Sequence, residues 1–402
     1  MNPTDSNLPL AGVRVLDLSR VLAGPLCGMV LGDFGAEVVK VEHPARGDDT
    51  RDWGLRVGRT ETPYFNSMNR NKRSVTVDLS KKEGQALVLD LVREFDVVVQ
   101  NFKTGGAEKM GLGYEHVKAV KPDIVYVSIS GYDRHGPEAE RPGYDLVVQG
   151  ESGLMAINGE AKQPPLKFGV AVVDLMTGMY SAQAVLAALF QRQRTGRGKH
   201  IEMALFDCGV MVTAYYGLEA LLMGKDPEKY GNAHPSIVPY GVFDAADGSL
   251  VIGVGNNGQF VKFCTDVIDR PDLPADPRYA TGLDRARHRD TLVPQLLDEI
   301  RRRPRALLLE RLRAAGIPSG EVLGLLDALN SPRVRSGGLV TEQPHAVAGS
   351  VHVLAPPYRM DGERLPIRRA PPELGEATDE VLAGLLGLGV ERIAELRAQG
   401  VV

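Results

Sequence analysis

Only three cysteines occur in the chain, Cys27, Cys208 and Cys264, and no two of them form a C-x-x-C pair. That excludes a disulfide framework and a cysteine zinc site, and leaves them as small buried hydrophobes. The eight histidines are scattered without an H-x-x-x-H pair, so no metal site is expected. No basic block is present either. Forty-seven Lys and Arg against 51 Asp and Glu leave a net charge of −4, which argues against a phosphate-backbone footprint and a nucleic-acid partner. Long apolar runs are also missing, with no window near the ~18 residues of a membrane span. The opening MNPTDSNLPLAG has neither a basic n-region nor an apolar h-region. The expectation is a soluble cytoplasmic protein with no membrane partner.

What is present is an ordinary globular composition, 43% hydrophobic and 24% charged over 402 residues, enough for two domains or one large domain with an insertion. From Val13 to Glu42 the chain reads strand (VRVLDLS), turn with Gly24 and Pro25, helix, and strand (AEVVKVE), a βαβ unit. SVTVDL, KKEGQALVLDLVREF, DVVVQN and DIVYVSISG continue the alternation, which predicts an α/β fold with a parallel sheet covered on both faces. A long helix after Asp174 stops near Thr195 and Gly196, and KHIEMALFD follows as a strand. From Lys225 the character shifts to turn-rich, aromatic sequence, and residues 284 to 315 form one Arg-rich amphipathic stretch. Residues 225–329 are expected as a smaller α+β domain.

Three segments invite a chemical reading. Gly253, Gly255 and Gly258 in VIGVGNNGQF spell G-x-G-x-x-G after a strand, but RPDLPADPRYA follows where a dinucleotide βαβ unit needs a second parallel strand. A flexible glycine turn or a backbone N–H cradle remains. MNRNKRS, with Arg70, Lys72 and Arg73, fits a solvated strand edge better than a phosphate site by spacing alone. Asp174 sits at the start of a helix, where an Asp is commonly the N-cap. The same helix end favours an ionised carboxylate, a competent nucleophile towards an activated acyl group. Cap and nucleophile both stay open on these residues.

VRVLDLSRVLAGPLCGMVLGDFGAEVVKVEHPARGDDTR, NRNKRSVTVDL, VVVQNFKTGGAEKMGLGYE, SISGYDRHGP, GYDLVVQGESGLM, GVAVVDLMTGMYSAQAVLAAL, RTGRGKHIEMALFD and AAGIPSGEV, in this order, resemble the class III CoA-transferase family. The resemblance implies a Rossmann-like large domain built from both ends of the chain, 1–224 plus 330–402, and an interlocked, ring-like homodimer. It implies that Asp174 is the catalytic nucleophile, attacking an acyl-CoA thioester and passing through an aspartyl-CoA thioester to a carboxylic acid acceptor. Acyl-CoA and a small carboxylic acid would be substrates, with no tightly bound cofactor. His43, Lys72, Arg73, Asn101 and Lys109 fall on the CoA-contacting segments, and Tyr132 on an active-site GY. Gly253 to Gln259, with Gly255, Asn256, Asn257 and Gly258, match a glycine loop that covers the site.

Within the superfamily the α-methylacyl-CoA racemases pair the same Asp with a His, because epimerisation needs a base on each face of the α-carbon. Here Tyr144 stands in the His position, which disfavours that reaction. AHPSIVPY and GVGNNGQF resemble the branch that uses succinyl-CoA and glutarate or a related short dicarboxylate. Ser236, Tyr240, Asn256 and Asn257 would then receive a second carboxylate, or IVPY merely packs a domain junction. A silent acyl-CoA-binding protein is the non-catalytic alternative.

Overall fold

The computed structural model describes residues 7–402. Short, Val-rich runs become strands β1 (Arg14–Asp17), β2 (Glu37–Glu42), β3 (Lys72–Thr76), β4 (Val97–Gln100) and β5 (Val125–Ser130), joined by β6 (Lys199–Ala204). All five pairings are parallel, in the order β3-β2-β1-β4-β5-β6. This is the order of a doubly wound sheet, and it reverses direction between β1 and β4. Leu16, Val39, Val75 and Val98 of the strands pack with Leu87, Val88 and Leu91 of the helix Lys82–Val92. The last helices, Thr378–Leu386 and Val390–Ala398, add Val381, Leu382 and Leu396 to the same core, so the chain's final segment completes what its first segment begins.

The helix Val172–Thr195 buries Val173, Thr177, Ser181, Val185 and Leu189. By length and composition it passes for a membrane span, contrary to expectation, with 44% of its most apolar window buried. Its burial in the first unit explains the apolar composition: it packs on the helix Ala23–Asp33. The approach is close. A Cβ at Gly178 would lie 2.6 Å from the Ala23 carbonyl oxygen. The helix stops at Gly196 in the left-handed region (φ 67°), the glycine termination expected from the sequence.

The described residues divide into two compact units, one of residues 7–154, 167–218 and 332–402, the other of 155–166 and 219–331. The expected boundaries need correction in three places: residues 155–166, 219–224 and 330–331 belong with the second unit. Within that unit β7 (Tyr240–Ala245), β8 (Gly248–Gly253) and β9 (Ser319–Glu321) form an antiparallel sheet over Phe243, Leu250, Ile252, Phe260 and Leu292. An antiparallel β8 cannot belong to a dinucleotide βαβ unit, which disposes of that reading of the glycines. The stretch 284–315 is also not continuous. It is split between the helices Gly282–Arg287, Arg289–Arg301 and Arg305–Ala314, with Pro304 at the second break.

Gly178→Ala should force the two helices apart and destabilise the protein by about 1–3 kcal/mol. The shift in the urea or guanidinium unfolding midpoint measures it.

Candidate functional site

In a doubly wound sheet the loops at the carboxyl ends of the strands diverge at the switch point and leave a crevice. Here a cavity of about 180 Å³ lies there. Its walls are Arg20–Ala23 after β1, Asp49, Asn101–Thr104 after β4, Ile129–Gly131 at the end of β5, Leu205 after β6, the segment 139–144, and Asp174. A second cavity of about 500 Å³ shares Arg20, Asp49 and Phe102 with it and is lined further by His43, Arg46, Asp78 and Ser80.

Asp174 is the third residue of its helix, and Ala171 occupies the N-cap without a side-chain bond. The cap expected of Asp174 is supplied by Asp145. Its Oδ1 accepts the N–H groups of Val173 (2.8 Å) and Asp174 (3.2 Å), and its Oδ2 accepts from Gln149 Nε2 at 2.6 Å. Gln149 in turn accepts the Phe168 N–H at 2.9 Å, so the approach to the helix is fixed as well as its first turn. Among the described residues no hydrogen-bond donor reaches the Asp174 carboxylate. Burial, and then the charge of Asp145, push its carboxyl up to about 7. The expectation that the helix end keeps Asp174 ionised therefore fails, because Asp145 already occupies that end.

The helix Ala23–Asp33 begins at the cavity wall. Leu22, its N-cap, offers no side-chain acceptor, so the first-turn N–H groups are free of a side-chain cap. Gly24 lets the turn close on Ser19, whose Cβ and Oγ would lie 2.3 Å from an added Cβ. Asn101 fixes the turn from across the switch point: its Oδ1 accepts the Arg20 N–H (2.9 Å) and its Nδ2 donates to the Arg20 carbonyl (2.7 Å).

Of the other residues singled out from the sequence, His43 follows β2 in the wall of the larger cavity. Lys72 must be corrected. It is fully buried, and its Nζ donates to Asp17 Oδ2 (2.8 Å), the Pro25 carbonyl (2.8 Å) and Asn69 Oδ1 (2.9 Å), leaving no proton for a ligand. Arg73 must be corrected too, since it lies at the opposite, amino-terminal edge of the sheet with Arg14 and Asp96, paired to Glu37 and to Glu380 at 3.1 Å. MNRNKRS is thus neither a solvated edge nor a phosphate site. Arg70, the third cation of that run, is buried against Asp33 (Nε to Oδ1, 2.9 Å). Lys109 is exposed at the end of the helix Gly106–Lys109 and lines neither cavity. Tyr132 is buried, and its hydroxyl donates to Glu151 Oε2 at 2.5 Å. Burial and that bond push the phenol up to about 12.

The glycine-loop residues belong to the second unit. Asn256 caps the helix Asn257–Lys262 by accepting the Gln259 N–H (2.9 Å), and Gln259 Oε1 accepts the Gly255 N–H (2.8 Å). Asn257 Oδ1 accepts from Arg285 at 3.0 Å. The loop is a self-satisfied turn, with Gly253 ending β8 and Gly258 inside the helix. Asn256 and Asn257 therefore do not form the joint polar lining expected with Ser236 and Tyr240. Ser236 is exposed, and Tyr240 lines a separate cavity of about 250 Å³ beside Arg289.

Sequence reasoning missed Asp145 and Tyr64. Asp145 lies 29 positions before Asp174, and no spacing rule links a residue opening one helix to the N-terminus of another. The phenol of Tyr64 is raised by burial and next by the charges of Asp174 and Asp145, which puts it in their field.

The family model described as CoA-transferase family III matches residues 10–378. The succinyl-CoA:glutarate CoA-transferase of Mus musculus is 40% identical over 398 residues, 99% of this chain and 91% of that protein. The succinate–glutarate CoA-transferase of Agrobacterium fabrum is also 40% identical, with 94% and 96% covered. A crystal structure of a CAIB/BAIF family protein from Brucella suis superposes with a TM-score of 0.83 at 41% identity, covering 94% of this chain and 100% of that one.

The Asp174 carboxyl should titrate near 7, and Asp145→Asn should lower it in part, with burial, the larger cause, unchanged and the amide oxygen still capping the helix. Carboxyl-carbon NMR on aspartate-labelled protein, assigned by Asp174→Asn, checks both.

Proposed function

Because the chain belongs to family III of the CoA-transferases, we propose that it moves coenzyme A from succinyl-CoA to a second short dicarboxylic acid, glutarate or a close analogue, through Asp174. The observation that carries this reading is an unpartnered carboxylate in the cavity at the switch point of the sheet. An ionised Asp174 oxygen attacks the thioester carbonyl, the C–S bond breaks, and CoA leaves as the thiolate from a mixed anhydride. The thiolate then attacks the Asp174 acyl carbon, expelling the donor acid as its carboxylate and forming the aspartyl-CoA thioester. The acceptor acid runs the same two steps backwards. One thioester replaces another, so the protein has mainly to position groups and stabilise oxyanions.

The uncapped N–H groups at the start of the helix Ala23–Asp33 suit the developing oxyanion. The larger cavity, with His43 and Arg46, suits the nucleotide end of CoA, and the wall it shares with the smaller one suits a ligand spanning both. Arg20, Lys103 and Arg141 in the smaller cavity offer positive charge to a distal carboxylate, in keeping with the relatives named for succinyl-CoA and glutarate. Racemisation is the weaker reading. It needs a second base facing Asp174, and among the described residues the cavity wall carries Tyr144 and no histidine.

The working form is proposed to be an interlocked homodimer. The helix Ala214–Met223 buries none of its residues, and Leu218, Leu221 and Leu222 are 71%, 81% and 88% exposed. A second copy of the chain would cover this face.

Incubation with succinyl-CoA and a panel of acids should yield new acyl-CoA species by mass, most of all with glutarate. No exchange with any acid overturns the reading, and deuterium incorporation into a 2-methylacyl-CoA favours the racemase instead. Asp174→Asn should cut exchange by about 10³-fold or more while CoA binding persists. Light scattering should return twice the 43.5 kDa chain mass.

A further inference from the structure

The turn that crosses the wall of the Asp174 cavity holds a valine where valine is disfavoured. Val21 has φ 72°, the left-handed region in which a β-branched side chain crowds its own backbone. Its neighbours hold it there. Both carboxylate oxygens of Asp48 stand 3.2 Å from the Val21 N–H. Asn101 clasps the N–H and carbonyl of Arg20, at 2.9 and 2.7 Å. Asp48 is anchored in turn by Lys40 Nζ at 2.9 Å, and the same ammonium donates to the Ser19 carbonyl at 2.7 Å. Three consecutive residues, Ser19, Arg20 and Val21, are thus each gripped by a side chain from elsewhere in the first unit: Lys40 of β2, Asn101 just after β4, and Asp48 in the loop after β2. Backbone strain persists only where the surroundings over-determine it, and such places cluster at functional sites.

We propose that Asp48, assisted by Asn101, is a positioning residue of the transfer reaction. By forcing the left-handed turn at Val21 it sets the path of Leu22 and Ala23, and so aims the uncapped first turn of the helix Ala23–Asp33 at the reacting carbonyl. Asp48 lies outside the lining of the Asp174 cavity but in that of the larger one, and it acts on the reacting carbonyl through the backbone it holds. The inference rests on the transferase reading above.

Glycine enters the left-handed region without crowding, so a glycine at 21 removes the need for the grip. The test is a double-mutant cycle in exchange kinetics and melting, with Asp48→Asn introduced into the Val21 and the Val21→Gly backgrounds. In the Val21 background kcat should fall about 10–100-fold, the scale of a small misplacement of catalytic groups, with little change in the KM for acyl-CoA. In the Val21→Gly background the same change should cost far less kcat, while the melting temperature falls equally in both because Lys40 loses its partner either way. A kcat loss of the same size in both backgrounds overturns the proposal, as does a kcat that tracks melting. Asn101→Ala leaves the buried ion pair intact. Run through the same cycle, it decides the matter if Asp48→Asn does not fold. Failure of the unmodified enzyme to exchange CoA with any acid overturns the transferase reading itself, whereas loss of the glycine effect alone overturns only the positioning role.

Discussion

The first unit is organised around four charges that have no access to water. Asp17, Lys40, Asp48 and Lys72 are buried where β1, β2 and β3 meet the turn after β1, with Lys40–Asp48 at 2.9 Å and Lys72–Asp17 at 2.8 Å. Burial by itself would raise both carboxyls, but the lysines outweigh it and hold Asp17 and Asp48 below the ordinary range. Their stabilising contribution is therefore complete at neutral pH and is lost as pH falls through those lowered values. Such a cluster is poor value as stability alone, because desolvation takes back much of the Coulomb attraction, yet removing one member strands the others at a cost of about 3–5 kcal/mol. What it secures is geometry. Each ion also holds backbone: Asp17 the Ser19 N–H, Lys40 the Ser19 carbonyl, Asp48 the Val21 and Thr50 N–H groups, Lys72 the Pro25 carbonyl. Glu42, bonded to Arg51 and Ser74, extends the hold to the Asp48 N–H.

Asp174, the proposed nucleophile, is the counter-example. It is half-buried in the cavity wall and forms no ion pair with a cation, and the charge that acts on it is the carboxylate of Asp145. Burial then acts unopposed and lifts the carboxyl to about 7. Between the ordinary carboxyl value and about 7 the folded protein holds a proton that the unfolded chain releases, so this one residue subtracts from stability as pH rises through that window. A more basic carboxylate is a better nucleophile once ionised, so the exchange should gain from the same feature that weakens the fold.

The parallel sheet was legible because Val-rich runs alternate with amphipathic helices, and that period survives whatever the loops do. The family was legible because matching segments follow one another in order from the first strand onwards, and no single motif could have carried it. Lys72 and Arg73 were not legible. A basic, amide-rich run looks the same whether it faces solvent, a phosphate or a buried acid, and the partner of Lys72, Asp17, is 55 residues away. The capping role that the sequence left open for Asp174 belongs to Asp145, a residue on another helix that no local spacing links to it. The single amphipathic stretch expected at 284–315 ignored Pro304, whose missing N–H and fixed φ suit the residue before a helix, not its interior.

The two carboxylates at the head of the long helix divide the work that the sequence assigned to one. Asp145 takes the N–H groups and with them the favourable interaction with the helix end, so its charge is settled. That leaves the Asp174 carboxylate in the cavity wall with neither a hydrogen-bond donor nor an ion-paired cation to hold its lone pairs. A capping carboxylate would have to surrender its hydrogen bonds before attacking a carbonyl, and the helix would lose its cap in each turnover. In the proposed reaction, separating cap from nucleophile removes that conflict. A close approach of the two helices, Gly178 against Ala23, lies one turn beyond Asp174. The long helix must be pressed against the start of its neighbour for an unpartnered carboxylate and an uncapped set of N–H groups to face the same small volume.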